Sequence, residues 1–142
     1  MSNYTGPFCR LCRRERIKLY LKGEKCYTDK CPLEFSKNKK SRGVPGAKGR
    51  FKRRLTDYGV QLREKQKLKR YYLITEKQFS NYVKKSGKIH GTKSENLFKL
   101  LESRLDIIVY RLGIGSIRQN VGRLVTHGFF SVNSRKVNIP SY

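Results

Sequence analysis

The four cysteines of this chain all lie within its first 31 residues, and they constrain the fold more than any other feature of the sequence. Cys9 and Cys12 form a C-x2-C pair, thirteen residues follow, and Cys26 and Cys31 form a looser C-x4-C pair. Two thiol pairs joined by a short loop are typical of a structural zinc site, in which four sulfurs close a tetrahedron and leave no open position. We therefore expect a metal-binding segment at residues 1–35.

Disulfides and a redox C-x-x-C motif are the alternatives to a metal site. The N-terminal stretch "MSNYTGPFC" has no apolar run resembling a secretory signal. We therefore expect a reducing compartment, where paired disulfides are rare. No βαβ pattern surrounds Cys9 and Cys12, which argues against the redox motif. An iron–sulfur cluster uses the same ligands and stays open on spacing alone, but zinc is the favoured cofactor.

The charge of the chain restricts its partners. It carries 34 Lys and Arg residues against 10 Asp and Glu residues, a formal net charge of +24. Such an excess repels itself in the free protein unless a polyanion neutralises it, and nucleic acid is the first candidate. No apolar run approaches the roughly 18 residues that span a bilayer, so a membrane is the weaker candidate. The few acidic residues offer no acid–base constellation, and we expect no enzyme.

Segments of different composition follow the cysteines. Residues 36–50 are rich in Lys, Arg, Gly and Pro, and we interpret them as an extended basic linker, which is either a solvated, disordered stretch or an arm that threads along RNA. Residues 51–92 are predicted to form a helical domain that begins with the strongly charged helix "VQLREKQKLKRYY". In its next helix, Thr75 and Gln78 have the spacing of a capping box, and Gly87 stands past the end.

Residues 93–142 are predicted to form a small module of helices and a β-hairpin. Thr92 and Glu95 form a T-x-x-E box that opens a helix, and Ser103 and Asp106 indicate that this helix stops and restarts. Its apolar residues recur every three or four positions, as on one helical face. They are Leu97, Leu101, Leu105, Ile108 and Leu112.

A second short helix and the hairpin complete this module. Ser116 and Gln119 form an S-x-x-Q box, after which Val121 is expected to face inward while Arg118 and Arg123 face outward. "FFSVNSRKVNI" alternates around an Asn-Ser turn, which indicates a β-hairpin. The predicted fold class is α+β: a mostly helical N-terminal domain with a metal-bound four-cysteine segment, then a small two-helix plus β-hairpin module.

Three separated stretches resemble the family of ribosomal protein four of the small subunit. "YTGPFCRLCRRERIKLYLKGEKCYTDKC" is similar to the cysteine-bearing N-terminus of many bacterial members, and "YGVQLREKQKLKRYY" is similar to the middle helix. "LLESRLDIIVYRLG", with the later "RLVTHG" and "VNIPSY", resembles the RNA-binding module. Family members continue past the position of Tyr142, so we expect the module to be incomplete, and Ser134 replaces the family's turn glycine.

The resemblance implies a function that residue spacing does not. It implies a structural constituent of the small ribosomal subunit, in the cytoplasm or an organelle, that binds rRNA early in assembly at a junction of the 5′ domain. It further implies contact with ribosomal protein five, an effect on decoding accuracy and, in some bacterial members, binding of their own messenger RNA. RNA-modifying enzymes share the C-terminal module and are one alternative; a zinc-dependent nucleic-acid-binding regulator is another.

Basic side chains are the candidate rRNA ligands. Lys and Arg neutralise phosphates, and Arg adds bidentate contacts and stacks on unpaired bases. Because side chains cannot read the deep major groove of A-form RNA, we expect recognition of the shape of a junction. The candidates are Arg13, Arg14, Lys18, Arg53, Arg54, Lys69, Arg70, Arg104, Arg111, Arg118 and Arg123.

Overall fold

A computed structural model describes residues 4–33, 44–46 and 54–142. Most of the predicted linker at 36–50, and the candidate ligand Arg53, therefore lie outside the described residues. The chain divides into two units, Met1–Tyr71 and Tyr72–Tyr142. The helices are α1 (Phe8–Glu15), α2 (Asp57–Tyr71), α3 (Glu76–Ser86), α4 (Lys93–Glu102), α5 (Leu105–Arg111) and α6 (Arg118–Thr126), and the strands are β1 (Phe130–Val132) and β2 (Arg135–Val137).

In the first unit, α1 contacts the charged helix α2. Helix α1 ends at Arg16, whose φ of 56° is left-handed, and a short 3-10 helix, Gly23–Cys26, follows. Between them the chain buries Leu19 and Leu21, which are 4% and 1% exposed. Every residue of α2 keeps some exposure, as its sequence of mostly polar and charged residues predicts. The core of this unit is therefore built around the cysteine-bearing segment.

Helix α3 of the second unit starts with the predicted capping box. The Thr75 hydroxyl accepts a hydrogen bond from the Gln78 amide at 3.3 Å, and the Gln78 side-chain oxygen accepts one from the Thr75 amide at 3.2 Å. Two backbone donors that the helix leaves unpaired are thereby satisfied. Gly87 caps the other end, so both predicted boundaries of this helix are confirmed.

The predicted apolar stripe from Leu97 to Leu112 does not continue along one helix. The helix ends after α4 and a new helix starts at α5, as expected from Ser103 and Asp106. The N-cap residue of α5, however, is Arg104. Leu105 is buried, whereas Ile108 and Leu112 are 43% and 69% exposed. Because the break resets the helical phase, α5 buries Leu105, Ile107 and Val109 instead, and the prediction was wrong for Ile108 and Leu112.

Two other predicted capping boxes do not form. Thr92 stands at the N-cap of α4, but its side chain makes no capping hydrogen bond. Helix α6 begins at Arg118 with Ile117 as its N-cap, one residue later than a box starting at Ser116 requires. A correct spacing of residue types therefore does not guarantee the cap, because the backbone approaching the helix must also aim the hydroxyl at the N3 amide.

The second unit closes around a small aliphatic core. Val121 and Val125 of α6 are fully buried, and Leu105 and Val109 of α5 and Val137 of β2 pack with them. Strands β1 and β2 are antiparallel, with Phe130 opposite Val137 and Val132 opposite Arg135. The turn between them places Asn133 at φ 49° and Ser134 at φ 63°. The predicted hairpin is present, and Ser134, which replaces the family's turn glycine, has the left-handed backbone that favours glycine. The fold is α+β.

Candidate nucleic-acid interface

All four cysteines line one small cavity in the first unit. Helix α1 supplies Cys9 and Cys12, the 3-10 helix ends at Cys26, and a turn in which the Cys31 amide donates to the Thr28 carbonyl at 3.0 Å supplies the fourth thiol. None of the four is in a disulfide. Apolar and aliphatic side chains complete the wall of the cavity, namely Phe8, Leu21, Lys22, Pro32 and Leu33.

Burial in this segment makes the Cys12 thiol less acidic. Burial is the main cause of a raised pKa at Cys12; a backbone hydrogen bond at Leu19 works against it, and the charges of Cys26, Cys9 and Cys31 add to the rise. A divalent cation between the sulfurs would favour the thiolate forms. In the described ranges, no group of three or more Cys, His, Asp or Glu side chains is arranged to hold a metal ion. The donor set has the chemistry of a four-thiolate site, and zinc stays a prediction.

At the last residue of α1, a buried carboxylate joins α1 to α2. The Glu15 side chain is fully buried, and its Oε1 accepts hydrogen bonds from Arg63 and from Arg70. Arg70 was one of the candidate rRNA ligands. In this unit its guanidinium neutralises Glu15, so the same side chain holds the two helices together.

The other candidates of the first unit differ in exposure. Helix ends carry most of them, where cations interact favourably with the negative end of the helix dipole. Arg13 and Arg14 lie in the last turn of α1, and Lys69 lies in the last turn of α2. Arg14 and Arg54 are exposed, and Arg13, Lys18, Lys69 and Arg70 are half-buried.

Arg104 is committed to the interior of the second unit. It is 4% exposed, and its Nε and Nη2 donate to the two carboxylate oxygens of Asp106 at 3.0 and 2.6 Å. Its Nη1 donates to the Tyr82 hydroxyl at 3.3 Å. This bidentate pair fixes the start of α5 and neutralises the guanidinium inside the fold. A phosphate contact by Arg104 stays a prediction.

The two candidate arginines on α6 lie in opposite environments. Arg118 was expected to face outward, but it is 7% exposed, and its guanidinium lies 4.8 Å from the centre of the Tyr110 ring. The outward orientation was therefore wrong, because the aromatic ring of α5 offers a cation–π contact that sequence spacing does not reveal. Arg123 is exposed, as predicted.

Arg111 is intermediate between the buried Arg118 and the exposed Arg123, because it is exposed but paired with a carboxylate. It is an exposed residue that donates to both carboxylate oxygens of Glu102, at 3.3 and 3.0 Å, and the Tyr72 hydroxyl donates to the same carboxylate at 2.6 Å. Burial acts to raise the pKa of Glu102, but the hydrogen bonds from Arg111 and Tyr72, together with the charges of Arg111 and Arg118, outweigh it and lower that pKa.

The hairpin carries further cations that were not among the candidates. Arg135 and Lys136 of β2 are exposed. The Lys136 side chain runs across Gly128, where a Cβ atom would come within 2.5 Å of its Cε. Next to it, Phe129 is 71% exposed, and its ring stands edge-on to His127 at 6.4 Å. The sequence signal was present in the consecutive basic residues of this predicted strand.

Comparison with known proteins relates the chain to one family. Residues 3–102 match the model "Ribosomal protein S4/S9 N-terminal domain", and residues 103–142 match the model "S4 domain". The chain is 54% identical to "Small ribosomal subunit protein uS4" of Thermoanaerobacter sp. (strain X514), and 52% identical to the protein of that name from Thermodesulfovibrio yellowstonii. Each comparison covers 100% of this chain and 66% of the relative, so the chain spans slightly less than two thirds of these curated relatives. Among the described helices, none has the length and apolarity that crossing a bilayer requires.

Proposed function

Because the chain belongs to the ribosomal protein S4 family, we propose that it is a structural rRNA-binding protein of the small ribosomal subunit, located in cytoplasmic ribosomes. The observation that carries this proposal is the consecutive match of both family models across residues 3–142. The relatives are named as small ribosomal subunit proteins, which supports a structural rather than an enzymatic role.

The distribution of charge supports RNA as the partner. In the described residues, Glu15, Glu64, Glu102 and Asp106 are each paired with a basic side chain of the same unit. The excess of 24 positive charges (34 − 10) cannot be neutralised within the chain. The phosphates of a folded RNA supply the missing negative charge and release counterions when bound.

The family relationship further supports a role early in assembly. We expect the chain to bind the 5′-domain junction of small-subunit rRNA without other proteins, and then to contact ribosomal protein five, with an effect on decoding accuracy. The cations that can bind the phosphates of this junction are exposed side chains on helices and strands, such as Arg14, Arg123 and Lys136. Rigid elements that present charge at fixed spacing favour recognition of shape over base sequence.

The cysteine cavity supports a structural zinc ion as part of this proposal. Cys9, Cys12, Cys26 and Cys31 would hold the ion, which supplies a covalent-like crosslink between α1 and the segment after it. The chain's own residues prepare the site: the Lys22 amide donates to the Cys26 sulfur at 3.4 Å, which orients that thiol toward the cavity. The bound ion would hold the basic C-terminal end of α1 in a fixed position, in which its side chains can bind RNA.

Binding to defined nucleic acids tests the proposal. The full chain is titrated with a transcript of the small-subunit 5′ domain, with a linear RNA of equal length and composition, and with duplex DNA, in the absence of other proteins. We expect the folded transcript to bind most tightly at moderate salt. Equal affinity for all three would contradict a ribosomal role, as would failure of the tagged chain to co-sediment with small subunits from cells.

A further inference from the structure

Tyr20 and Tyr27 form an exposed aromatic pair on the first unit. Their ring centres lie 5.2 Å apart with an angle of 33° between the ring planes. Tyr27 is 73% exposed and Tyr20 is 36% exposed. Core packing does not account for such a pair, because both rings keep a large part of their surface in water.

The fold holds this pair in place from both sides. Tyr20 stands between the buried residues Leu19 and Leu21, and its φ of 51° lies in the left-handed region, which is unfavourable for an aromatic residue. Tyr27 directly follows the 3-10 helix, and its amide donates to the Glu24 carbonyl at 2.9 Å. Backbone strain of this kind persists only where the surroundings over-determine it, and it clusters at functional sites.

The charges around the pair suit a nucleic acid. Residues 18–30 contain four lysines and two acidic residues. Of these lysines, Lys25 and Lys30 are exposed and Lys22 is half-buried. An aromatic face flanked by cations is the arrangement with which proteins bind unpaired bases, because the ring stacks on the base while the cations contact its phosphates.

We propose that the Tyr20–Tyr27 pair is a stacking platform for an unpaired nucleobase of RNA. The inference rests on the proposed function in taking RNA as the partner, and it adds a base contact to what is otherwise recognition of phosphates and shape. Stacking tolerates any base, since every base has a π-face. The platform therefore selects a looped-out nucleotide rather than a sequence.

The test compares variants of Tyr27 in the full chain, with the transcript of the small-subunit 5′ domain as the probe. Tyr27→Ala is expected to weaken binding by about 5- to 150-fold, the range for loss of one stacked base, whereas Tyr27→Phe keeps the ring and the affinity. The slope of affinity against salt should stay the same in both variants, because stacking releases no phosphate counterions. Loss of slope in Tyr27→Ala would overturn the stacking role.

Tyr58→Ala is the matched control, since Tyr58 on α2 is 72% exposed and lies outside the Tyr20–Tyr27 pair. Equal losses of affinity for the transcript in Tyr58→Ala and Tyr27→Ala would overturn the inference.

Ultraviolet crosslinking of the unmodified chain to the transcript gives a second readout that does not depend on how a variant folds; we expect a nucleotide adduct on Tyr27 or Tyr20. If the unmodified chain binds the transcript but neither tyrosine crosslinks and Tyr27→Ala binds normally, the inference fails alone. If the unmodified chain does not bind the transcript, the proposed function fails and the inference with it.

Discussion

The carboxylate of Glu15 lies 3.1 Å from the guanidinium of Arg63, a residue 48 positions further along the chain. Arg70 donates to the same oxygen. The Glu15 side chain is fully buried, while those of Arg63 and Arg70 are 23% and 21% exposed. Two partly exposed cations thus compensate one buried anion, and this contact ties α1 to α2 across the linker.

Glu15→Gln should destabilise the full chain by about 3 kcal/mol, because removing one partner of a buried ion pair leaves the other charges uncompensated. Urea unfolding followed by circular dichroism measures the change. Glu64→Gln is the matched control: Glu64 pairs with Lys67 at an exposed site, and its loss should change stability by no more than about 0.5 kcal/mol. Equal effects of the two changes would show that the Glu15 contact does not hold the helices.

Ser134→Gly should stabilise the second unit by about 1 kcal/mol. Asn133 and Ser134 both have positive φ, and a two-residue turn of this kind favours Asn-Gly because glycine avoids the left-handed penalty. Thermal unfolding measures the change. Ser131→Gly is the control, since Ser131 is an exposed residue within β1, where glycine should be destabilising. A lower melting temperature in Ser134→Gly would contradict the strain at this turn.

Local signals in the sequence predicted local structure well. Thr75 and Gln78 are three residues apart, and their capping box forms because both partners belong to the same turn. The Asn133–Ser134 turn is predicted for the same reason. By contrast, the environment of Arg118 depends on Tyr110, and that of Glu15 depends on arginines 48 and 55 residues away. Spacing within one element contains no information about such tertiary partners.

The same distinction between local and tertiary features applies to the candidate site. Composition and spacing predicted that the four cysteines come together, and they line one cavity. They also predicted a basic surface, but could not sort Arg104, which pairs with Asp106 inside the fold, from the exposed Arg123. The Tyr20–Tyr27 pair could not be predicted from the sequence, because its two residues meet only through the turn that buries Leu21 and Cys26.

The stability of the second unit should fall in acid partly through Glu102. Its pKa is lowered in the folded state from an ordinary 4.5, so the unfolded chain binds its proton first as the pH falls. The stabilising contribution is therefore complete above about pH 4.5 and is lost as the pH falls through the lower folded pKa. Urea unfolding of the chain and of Glu102→Gln across this range should show two stabilities that converge in acid. A difference that does not depend on pH would contradict the role of the charge.

Cys26→Ser should abolish binding of the single zinc ion that we propose for each chain, and it should loosen residues 1–33 while the second unit stays folded. Metal binding and local folding are coupled in such segments, and the two units have separate cores. Elemental analysis of the native chain measures the metal, and amide hydrogen exchange measures the loosening. Thr28→Ala, an exposed change in the same loop, is the control. Native protein that contains disulfides and no metal would overturn the zinc site.

The two arginines of α6 should have separable effects on RNA binding. Arg123 is exposed, so Arg123→Ala should reduce the slope of log affinity against log salt by about 0.7 to 0.9 if one phosphate contact is lost, with no change in stability. Arg118 is buried against Tyr110, so Arg118→Ala should lower stability by up to about 2 kcal/mol. Arg118→Ala should also reduce the preference for the folded 5′-domain transcript over linear RNA of equal composition, while the slope of log affinity against log salt stays the same.

Titrations with both RNAs at several salt concentrations, together with urea unfolding, distinguish the effects of the two variants. If the variants behave alike, charge alone governs binding; if they differ as stated, the buried arginine shapes the surface on which the exposed arginine acts.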